Sequence, residues 1–349
     1  MNAFTTREMT CFYVNVVAEH ALMVIELLRR MYYKADFDSA ELERERQVIL
    51  QELLMYEDTP DEYIHDRFIT SIWPRHAVGA PIAGTVATVS ALTRTKLNNF
   101  YRTNYTSDRL VVAVAGKFDH DAVAAELATY PATGMGKTAA RTGPFHKPRF
   151  ILDSREKELE QVHLIFGFPA VSAVDERRHA LYLLNQILGG GMSSRLYQRI
   201  REREGNCYSI YSFPSLFRQQ GIFAVYCATS LPFVGKVLTG VREELLRILE
   251  EGIDETELHF ARQQMRGNIM LGRESIEGRM NRLAVQELVF GAQETIQALL
   301  KKIDRVTVRE IRDAAVATLG SPRFALTTIG GKKHLAPVEK FYGTGVLHG

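Results

Sequence analysis

The 349-residue chain is poor in cysteine and has no long apolar run. Its three cysteines, Cys11, Cys207 and Cys227, lack metal-type spacing, which argues against a cysteine-ligated zinc site and a disulfide framework and favours a reducing compartment. The longest apolar segments are far shorter than a membrane span, and the N-terminus has no basic-then-apolar signal pattern. We therefore expect a soluble cytoplasmic protein with no membrane partner.

A strong excess of one charge is also missing. Forty-three Lys and Arg against 41 Asp and Glu give a formal charge of +2, which supports neither a nucleic acid nor an anionic membrane surface as a partner. With 46% hydrophobic and 24% charged residues, the composition is typical of a soluble globular protein. The length predicts two domains of ordinary size.

No two of the 10 histidines stand three or four residues apart, so the chain has no helical histidine pair for zinc. The nearest pattern is "VVAEH" (16–20), which would need a histidine in place of Val16. The sequence therefore does not encode a three-ligand catalytic zinc site by itself.

The chain divides near its middle. Residues 131–148 contain three prolines and three glycines without a sustained apolar period, which is typical of a linker. We predict a first domain over 1–130, a second over 149–332 and a polar tail over 333–349. Helical periods mixed with short strands, among them one at 109–116, predict an α+β layered fold.

The two halves resemble each other. "YTSDRLVVAVAG" (105–116) aligns with "LGSPRFALTTIG" (319–330), and "FDSAELERERQ" (37–47) aligns with "IDETELHFARQ" (253–263), which indicates a duplication. The second copy carries about 70 residues before the strand that matches the first strand of copy one. We therefore expect the first domain to lack its N-terminal strands and one helix.

Two carboxylates stand at the edge of an apolar stripe on the helix predicted from Ser39. The stripe consists of Leu42, Ile49, Leu50, Leu53 and Leu54. Glu45 and Glu52 are seven residues apart, so they project from one face with α-carbons about 10 Å apart along the axis. One metal ion would bind one of them directly, with the other as an orienting group. The alternative is an ion-paired rim with Arg44 and Arg46.

Four segments carry a resemblance to a known family. They are "NAFTTREMTCFYVNV", "ELERERQVILQELLMYEDTPDEYIHD", "GAPIAGTVATVSALT" and "GGGMSSRLYQRIREREGNCYSIYSF". Together they resemble the pitrilysin/insulinase-type zinc metallopeptidases, most closely the bacterial relatives of the mitochondrial processing peptidase. The resemblance runs from Asn2 to about residue 330 in the expected order.

The resemblance implies a pair of duplicated α+β domains and peptide hydrolysis by a zinc-activated water. In the family, an HxxEH helix supplies two histidine ligands and a general base, and a later glutamate is the third ligand. That position matches Glu52, and a supporting carboxylate matches Glu45. HxxEH is absent from this chain, and the family pattern would place it upstream of Asn2.

The resemblance also implies residues that contact a peptide or unfolded polypeptide. Asn2, Ala3 and Phe4 match an edge strand on which substrate adds its own strand. Arg201 and Tyr208 match a pair that reaches substrate or the developing oxyanion. Without the family, these residues would be interpreted as a strand entry, a helix-end arginine and a core tyrosine.

Three hypotheses follow from the missing motif. The chain is a zinc endopeptidase without its N-terminal part, a non-catalytic partner in a heteromeric peptidase, or a non-proteolytic scaffold relative; a homo- or heterodimer is compatible with each. A partner subunit has no reason to keep a zinc-ligand glutamate, so retained Glu45 and Glu52 favour the first. Alone, the chain is expected to bind no stoichiometric zinc and to cleave no peptide.

Overall fold

The computed structural model describes residues 1–131 and 148–344. Before the gap its helices and strands are β1 (Asn2–Thr5), β2 (Thr10–Tyr13), α1 (Ala21–Tyr33), α2 (Ser39–Glu57), α3 (Pro60–Ile72), α4 (Val86–Ser90), α5 (Arg94–Asn104) and α6 (His120–Ala128). After it come β3 (Leu152–Glu156), β4 (Gln161–Ala170), α7 (Arg178–Leu188), β5 (Ser209–Leu216), β6 (Gly221–Ser230), α8 (Val234–Glu250), α9 (Glu255–Gly272), α10 (Ile276–Phe290), α11 (Ile296–Arg305), α12 (Val308–Leu319), β7 (Ala325–Gly330) and α13 (Leu335–Thr344). The predicted linker over 131–148 lies outside the described residues except at its two ends.

The chain forms two compact units that do not coincide with its two halves. The first unit comprises Met1–Glu57, the described part of 81–145, and Leu271–Gln293. The second comprises Asp58–Ala80, the described part of 146–270, and 294–344. Helix α3 therefore belongs to the second unit, and α10 belongs to the first. These are the helices that follow α2 and α9, the pair aligned by the sequence repeat.

The second unit is built on a five-stranded sheet in the order β3-β7-β4-β6-β5. Strands β3 and β7 are parallel and the other neighbours are antiparallel. Strand β6 is buried over Gly221–Thr229, which explains its nearly continuous run of small and apolar residues. Helices α7, α8 and α12 bury their apolar stripes in one core with this sheet.

Successive side chains of β4 point to opposite faces of the sheet, and each face packs against different helices. Val162, Leu164, Phe166 and Phe168 join the core under α7, α8 and α12. The residues between them point to the opposite face, where α3 packs against β4 and β7. Helix α3 buries Ile64, Phe68, Ile69 and Ile72 there. The sheet is thus covered on both faces.

The first unit has far less buried structure. Among its described residues, the sheet consists of β1 and β2, α1 buries one residue, Ile25, and α2 buries none. From the second half it gains α10, whose Glu277 carboxylate accepts a hydrogen bond from Asn15 Nδ2 at 2.9 Å. Val48 and Leu54 of α2 are 50% and 55% exposed.

The α+β class with layered sheet and helices is confirmed, whereas three local predictions are wrong. Residues 109–116 form no strand, because no described strand lies beside them to complete a ladder. The apolar periodicity from Val234 to Phe290 predicts a pair of long helices, but the structure has three there, α8 to α10. The predicted tail contains α13, which buries Val338 and Phe341. Within the described ranges, no helix has the length and apolarity needed to cross a bilayer.

Candidate functional site

Helix α2 presents the two candidate carboxylates. Its N-terminus is fixed by Asp38, whose Oδ1 accepts hydrogen bonds from the backbone N–H of Ala40 at 2.8 Å and Glu41 at 3.1 Å. These bonds hold the pKa of the Asp38 carboxyl below its usual value. The helix ends at Glu57, and α3 begins at Pro60, as the sequence predicts.

Glu45 and Glu52 are exposed, and neither makes a hydrogen bond or ion pair with a described residue. Arg44 pairs with Glu41 at 2.5 Å, and Arg46 pairs with Glu43 at 2.9 Å. The ion-paired rim expected as the alternative is therefore wrong, since both arginines use other carboxylates.

Arg46 has a structural role that sequence reasoning missed. Its guanidinium donates to the carbonyl oxygens of Val89 and, at 2.8 Å, Leu92, and so ties α2 to the C-terminal end of α4 and the residues just after it. Arg46 is half-buried, unlike Arg44. Arg46 stands in a run of alternating charges. That pattern does not indicate that its side chain binds backbone carbonyl oxygens more than 40 residues away.

The residues present do not make a complete zinc centre. Over residues 1–131 and 148–344, no group of three or more His, Cys, Asp or Glu side chains is placed to hold a metal ion. The full sequence contains no HxxEH motif. Glu52 can supply one carboxylate ligand, but the described chain adds no histidine beside it, so the described residues do not complete a catalytic zinc site.

Strand β1 presents the candidate substrate-binding backbone. It pairs antiparallel with β2 through Asn2 with Tyr13, Ala3 with Phe12 and Phe4 with Cys11. All four residues of β1 are exposed, and among described residues β2 is its only partner. One edge of β1 therefore faces no described strand, and there the Ala3 N–H donates locally to Asn2 Oδ1 at 2.8 Å, a bond that an added strand could replace.

Arg201 and Tyr208 belong to the second unit and stand on either side of a turn. Arg201 lies in a π-helical turn over Tyr197–Arg203, where its Nη1 donates to Tyr197 Oη at 2.9 Å. Its guanidinium also stacks 4.9 Å from the Tyr197 ring centre. The side chain of Tyr208 is 71% exposed, so the core-tyrosine interpretation is wrong. Both groups are open to a ligand.

Arg199 anchors that π-helical turn on α8, and sequence reasoning missed it. Its guanidinium pairs with Glu204 at 3.0 Å, with Glu244 at 3.3 Å and with Glu243. The Glu244 side chain is only 1% exposed. A carboxylate that deep needs a cation, and Arg199 supplies it from the same turn that carries Arg201.

A His/Tyr cluster lies between α3 and the sheet, half-buried at His65 and Tyr211 and buried at His163 and Tyr226. His65 Nε2 and Tyr211 Oη are 3.0 Å apart, and His163 Nδ1 and Tyr226 Oη are 2.9 Å apart. Burial lowers the pKa of both histidines, opposed in each by the negative charge of Asp61. The cluster therefore favours neutral imidazoles under α3.

Comparison with known families matches most of the chain. Residues 1–86 match the family described as Insulinase (Peptidase family M16), and residues 91–265 match the Peptidase M16 inactive domain. The chain is 34% identical over 318 residues to the uncharacterized zinc protease YmxG of Bacillus subtilis, covering 90% of this chain and 77% of that protein. It is 37% identical over 341 residues to the uncharacterized zinc protease SCO5738 of Streptomyces coelicolor, covering 95% and 74%.

Solved structures show the same fold at low sequence identity. A protease from Helicobacter pylori superposes with a TM-score of 0.86 at 15% identity, covering 94% of this chain and 81% of that one. A chain of Complex III2 from Candida albicans gives a TM-score of 0.82 at 14% identity, covering 98% and 84%. The fold is thus shared by a protease and by a chain of Complex III2.

Proposed function

This chain belongs to the insulinase family, peptidase family M16, and we propose that it supplies the glutamate, edge-strand and Arg/Tyr parts of a zinc metalloendopeptidase centre. The substrate class is a peptide or an unfolded polypeptide. Since HxxEH is absent from these residues, the chain alone is expected to be inactive, and the histidine pair has to come from outside the 349 residues.

One observation carries the proposal: Glu45 and Glu52 are unpaired on a helix whose other charges are paired. Arg44 and Arg46 could each have turned to these carboxylates, yet they bind Glu41 and Glu43. An exposed carboxylate without a partner costs little, but two on one helical face are suited to a cation. We assign Glu52 as the ligand and Glu45 as the group that orients it.

Zinc, when bound, would supply Lewis-acid polarisation of a water or a carbonyl. The remaining roles fall to this chain. The free edge of β1 offers backbone groups of Asn2, Ala3 and Phe4 that can align an extended peptide. The Arg201 guanidinium and the Tyr208 hydroxyl are donors that suit a substrate carbonyl or a developing oxyanion.

A second candidate is a non-catalytic partner or scaffold subunit, as a homo- or heterodimer. The likeness of fold to a chain of Complex III2 from Candida albicans favours it. Such a subunit would have no use for an unpaired Glu52. We also propose a cytoplasmic location, which three free cysteines support.

The test restores the missing motif. An extension carrying an HxxEH helix, taken from a catalytic family member, is fused before Asn2, and zinc content and cleavage of a fluorogenic peptide are measured. We expect about one zinc per fused chain and measurable cleavage, both lost in Glu52→Gln. Glu41→Gln on the same helix is the matched control and should keep both.

Two results would contradict the proposal. Equal zinc in the fused wild type and in fused Glu52→Gln would remove Glu52 from the site. One tightly held zinc on the unfused chain would show that the 349 residues contain a complete metal site. Circular dichroism of each fusion separates these results from misfolding.

A further inference from the structure

Cys207 and Cys227 are far apart in the sequence but are brought together in the second unit. Cys207 lies in the turn between the π-helical segment and β5, and Cys227 lies in β6. Hydrogen bonds fix the turn to β6 on both sides of Cys207. Tyr208 N donates to the Ala228 carbonyl at 2.9 Å, and Thr229 Oγ1 donates to the Asn206 carbonyl at 2.6 Å.

The two cysteines lie close together on the sheet. Ala228 and Thr229, which directly follow Cys227, bind the residues on either side of Cys207, and both cysteine side chains pack on the core of the second unit. Their surroundings differ, because Cys207 is partly exposed whereas Cys227 is fully buried. The Cys207 sulfur can therefore react with a small oxidant from solvent, and the Cys227 sulfur lies next to it.

The surroundings of the two thiols also make them differ in reactivity. The hydrogen bond from Cys227, assisted by the positive charge of Arg201, lowers the pKa of the Cys207 thiol. Burial, followed by the bond to Cys207, raises the pKa of the Cys227 thiol. A thiolate is the reactive form of cysteine, so Cys207 is the sulfur that reacts first.

We propose that Cys207 and Cys227 form a redox-active dithiol that closes to an intramolecular disulfide when the protein meets a peroxide. This modification site goes beyond the proposed peptidase function and does not depend on it. It is built from contacts within one unit, and it lies directly before Tyr208.

The chemistry balances with hydrogen peroxide as the oxidant. The Cys207 thiolate attacks one peroxide oxygen, the O–O bond breaks, and hydroxide leaves, giving a sulfenic acid at Cys207. The Cys227 sulfur then attacks the Cys207 sulfur. The S–O bond breaks, the S–S bond forms, and the departing oxygen leaves as water with the Cys227 proton. An external dithiol reverses the closure by exchange.

Closure requires a small movement of the turn. A disulfide holds its sulfurs about 2.05 Å apart, closer than hydrogen-bonded thiols, so Cys207 must shift toward β6. Gly205 permits this shift, because its φ of 62° is a left-handed conformation that glycine tolerates and no atom lies within 4 Å of its Cβ position. Oxidation would therefore fix the turn that joins Arg201 to Tyr208.

The experiment counts thiols. Full-length protein is treated with hydrogen peroxide, denatured, alkylated with N-ethylmaleimide and weighed by mass spectrometry. Untreated wild type should take three labels, one for each cysteine. Oxidised wild type should take one label, at Cys11, and recover the other two after reduction. Digestion without reductant should yield a peptide that links Cys207 to Cys227.

Variants separate the roles of the sulfurs. Cys11→Ser should still form the linked peptide. Cys227→Ala should lose it and should accumulate sulfinic or sulfonic acid at Cys207, while its unchanged circular dichroism spectrum would show that it is folded. Three labels on peroxide-treated wild type, or an over-oxidised Cys207 beside a freely labelled Cys227, would overturn the proposal.

Discussion

The ring of Phe68 in α3 lies directly against the backbone of Gly167 in β4. A Cβ on Gly167 would fall 2.3 Å from Phe68 Cζ, well inside contact distance. Phe68 is fully buried, so its ring has little room to withdraw. This contact fixes how closely α3, a helix from the first half of the chain, approaches the sheet of the second unit.

Gly167→Ala should therefore destabilise the second unit by about 1–3 kcal/mol, the usual cost of overpacking a full core. Trp73, the single tryptophan, is buried in the same unit against Phe217, so its fluorescence during urea unfolding measures the change. Gly235→Ala in α8 is the matched control, since nothing lies within 4 Å of its Cβ. It should be neutral or slightly stabilising; an equal loss in both variants would contradict the role of Phe68.

The second unit should lose stability in mild acid through His65 and His163. Burial holds the pKa of each below the ordinary value of 6.5. The unfolded chain then binds more protons than the folded one, so the free energy of unfolding falls as the pH drops below about 6.5. The carboxylates of Asp61 and Asp66 oppose this at His65, and Asp61 opposes it at His163.

His65→Phe keeps an aromatic ring and removes one titrating group from the cluster. Urea unfolding between pH 7.5 and pH 5 should give a shallower slope than in wild type. Gly235→Ala in α8, a change that removes no titrating group, should leave the slope unchanged. A wild-type slope in His65→Phe would exclude His65 as a source of the pH dependence.

Arg199→Ala should cost about 1–3 kcal/mol, because it removes a charged partner from the buried Glu244. Arg247, 3.1 Å from Glu244, keeps the loss from being larger. Arg177→Ala breaks an exposed pair with Asp175 and should change the free energy of unfolding by less than about 0.5 kcal/mol. Trp73 fluorescence again serves as the measurement, and equal effects of both changes would contradict the anchoring role.

Glu45→Gln and Glu52→Gln should leave the stability of the unfused chain within about 0.5 kcal/mol of wild type, since both carboxylates are exposed and unpaired. Arg46→Ala should destabilise the first unit by about 1 kcal/mol or more through its lost bonds to Val89 and Leu92. Amide hydrogen exchange in α2 measures all three. A marked loss in Glu52→Gln would mean that this carboxylate has a structural role.

Amides of α1 and α2 should exchange faster than those of β4 and β6. Helix α2 buries no side chain and α1 buries only Ile25, whereas β6 is buried along nearly its whole length. Exchange followed by mass spectrometry resolves the two units. Equal protection in both would contradict the poor stability expected of the first unit.

Local sequence patterns mark several elements of this fold. Pro60 marks the start of α3, and the alternating or continuous apolar runs of β4 and β6 mark their strands. The strand predicted at 109–116 failed because apolarity alone does not provide a neighbouring strand. A helical period likewise shows that α3 has an apolar face, but not that this face packs on the sheet of the second unit.

From the sequence, a residue of the candidate site could be predicted only where its residue type by itself suggests a chemical role. The spacing of Glu45 and Glu52 is readable from the sequence, and their family assignment stays a proposal. Their lack of partners is not readable, because it depends on where Arg44 and Arg46 point. Tyr208 was ambiguous for a similar reason: a tyrosine beside an apolar strand is equally compatible with burial and with exposure.

Helix α3 comes from the first half of the chain but belongs to the second unit, and α10 comes from the second half but belongs to the first. The two halves of the chain are therefore poor candidates for independently folding modules. A fragment ending near residue 131 would carry α3 without the sheet it covers, and one starting near residue 148 would expose that sheet face to solvent. Each half should therefore be aggregation-prone when expressed alone and recover when both are made together. A recombination event at the midpoint of the gene would separate each unit from one of its own helices.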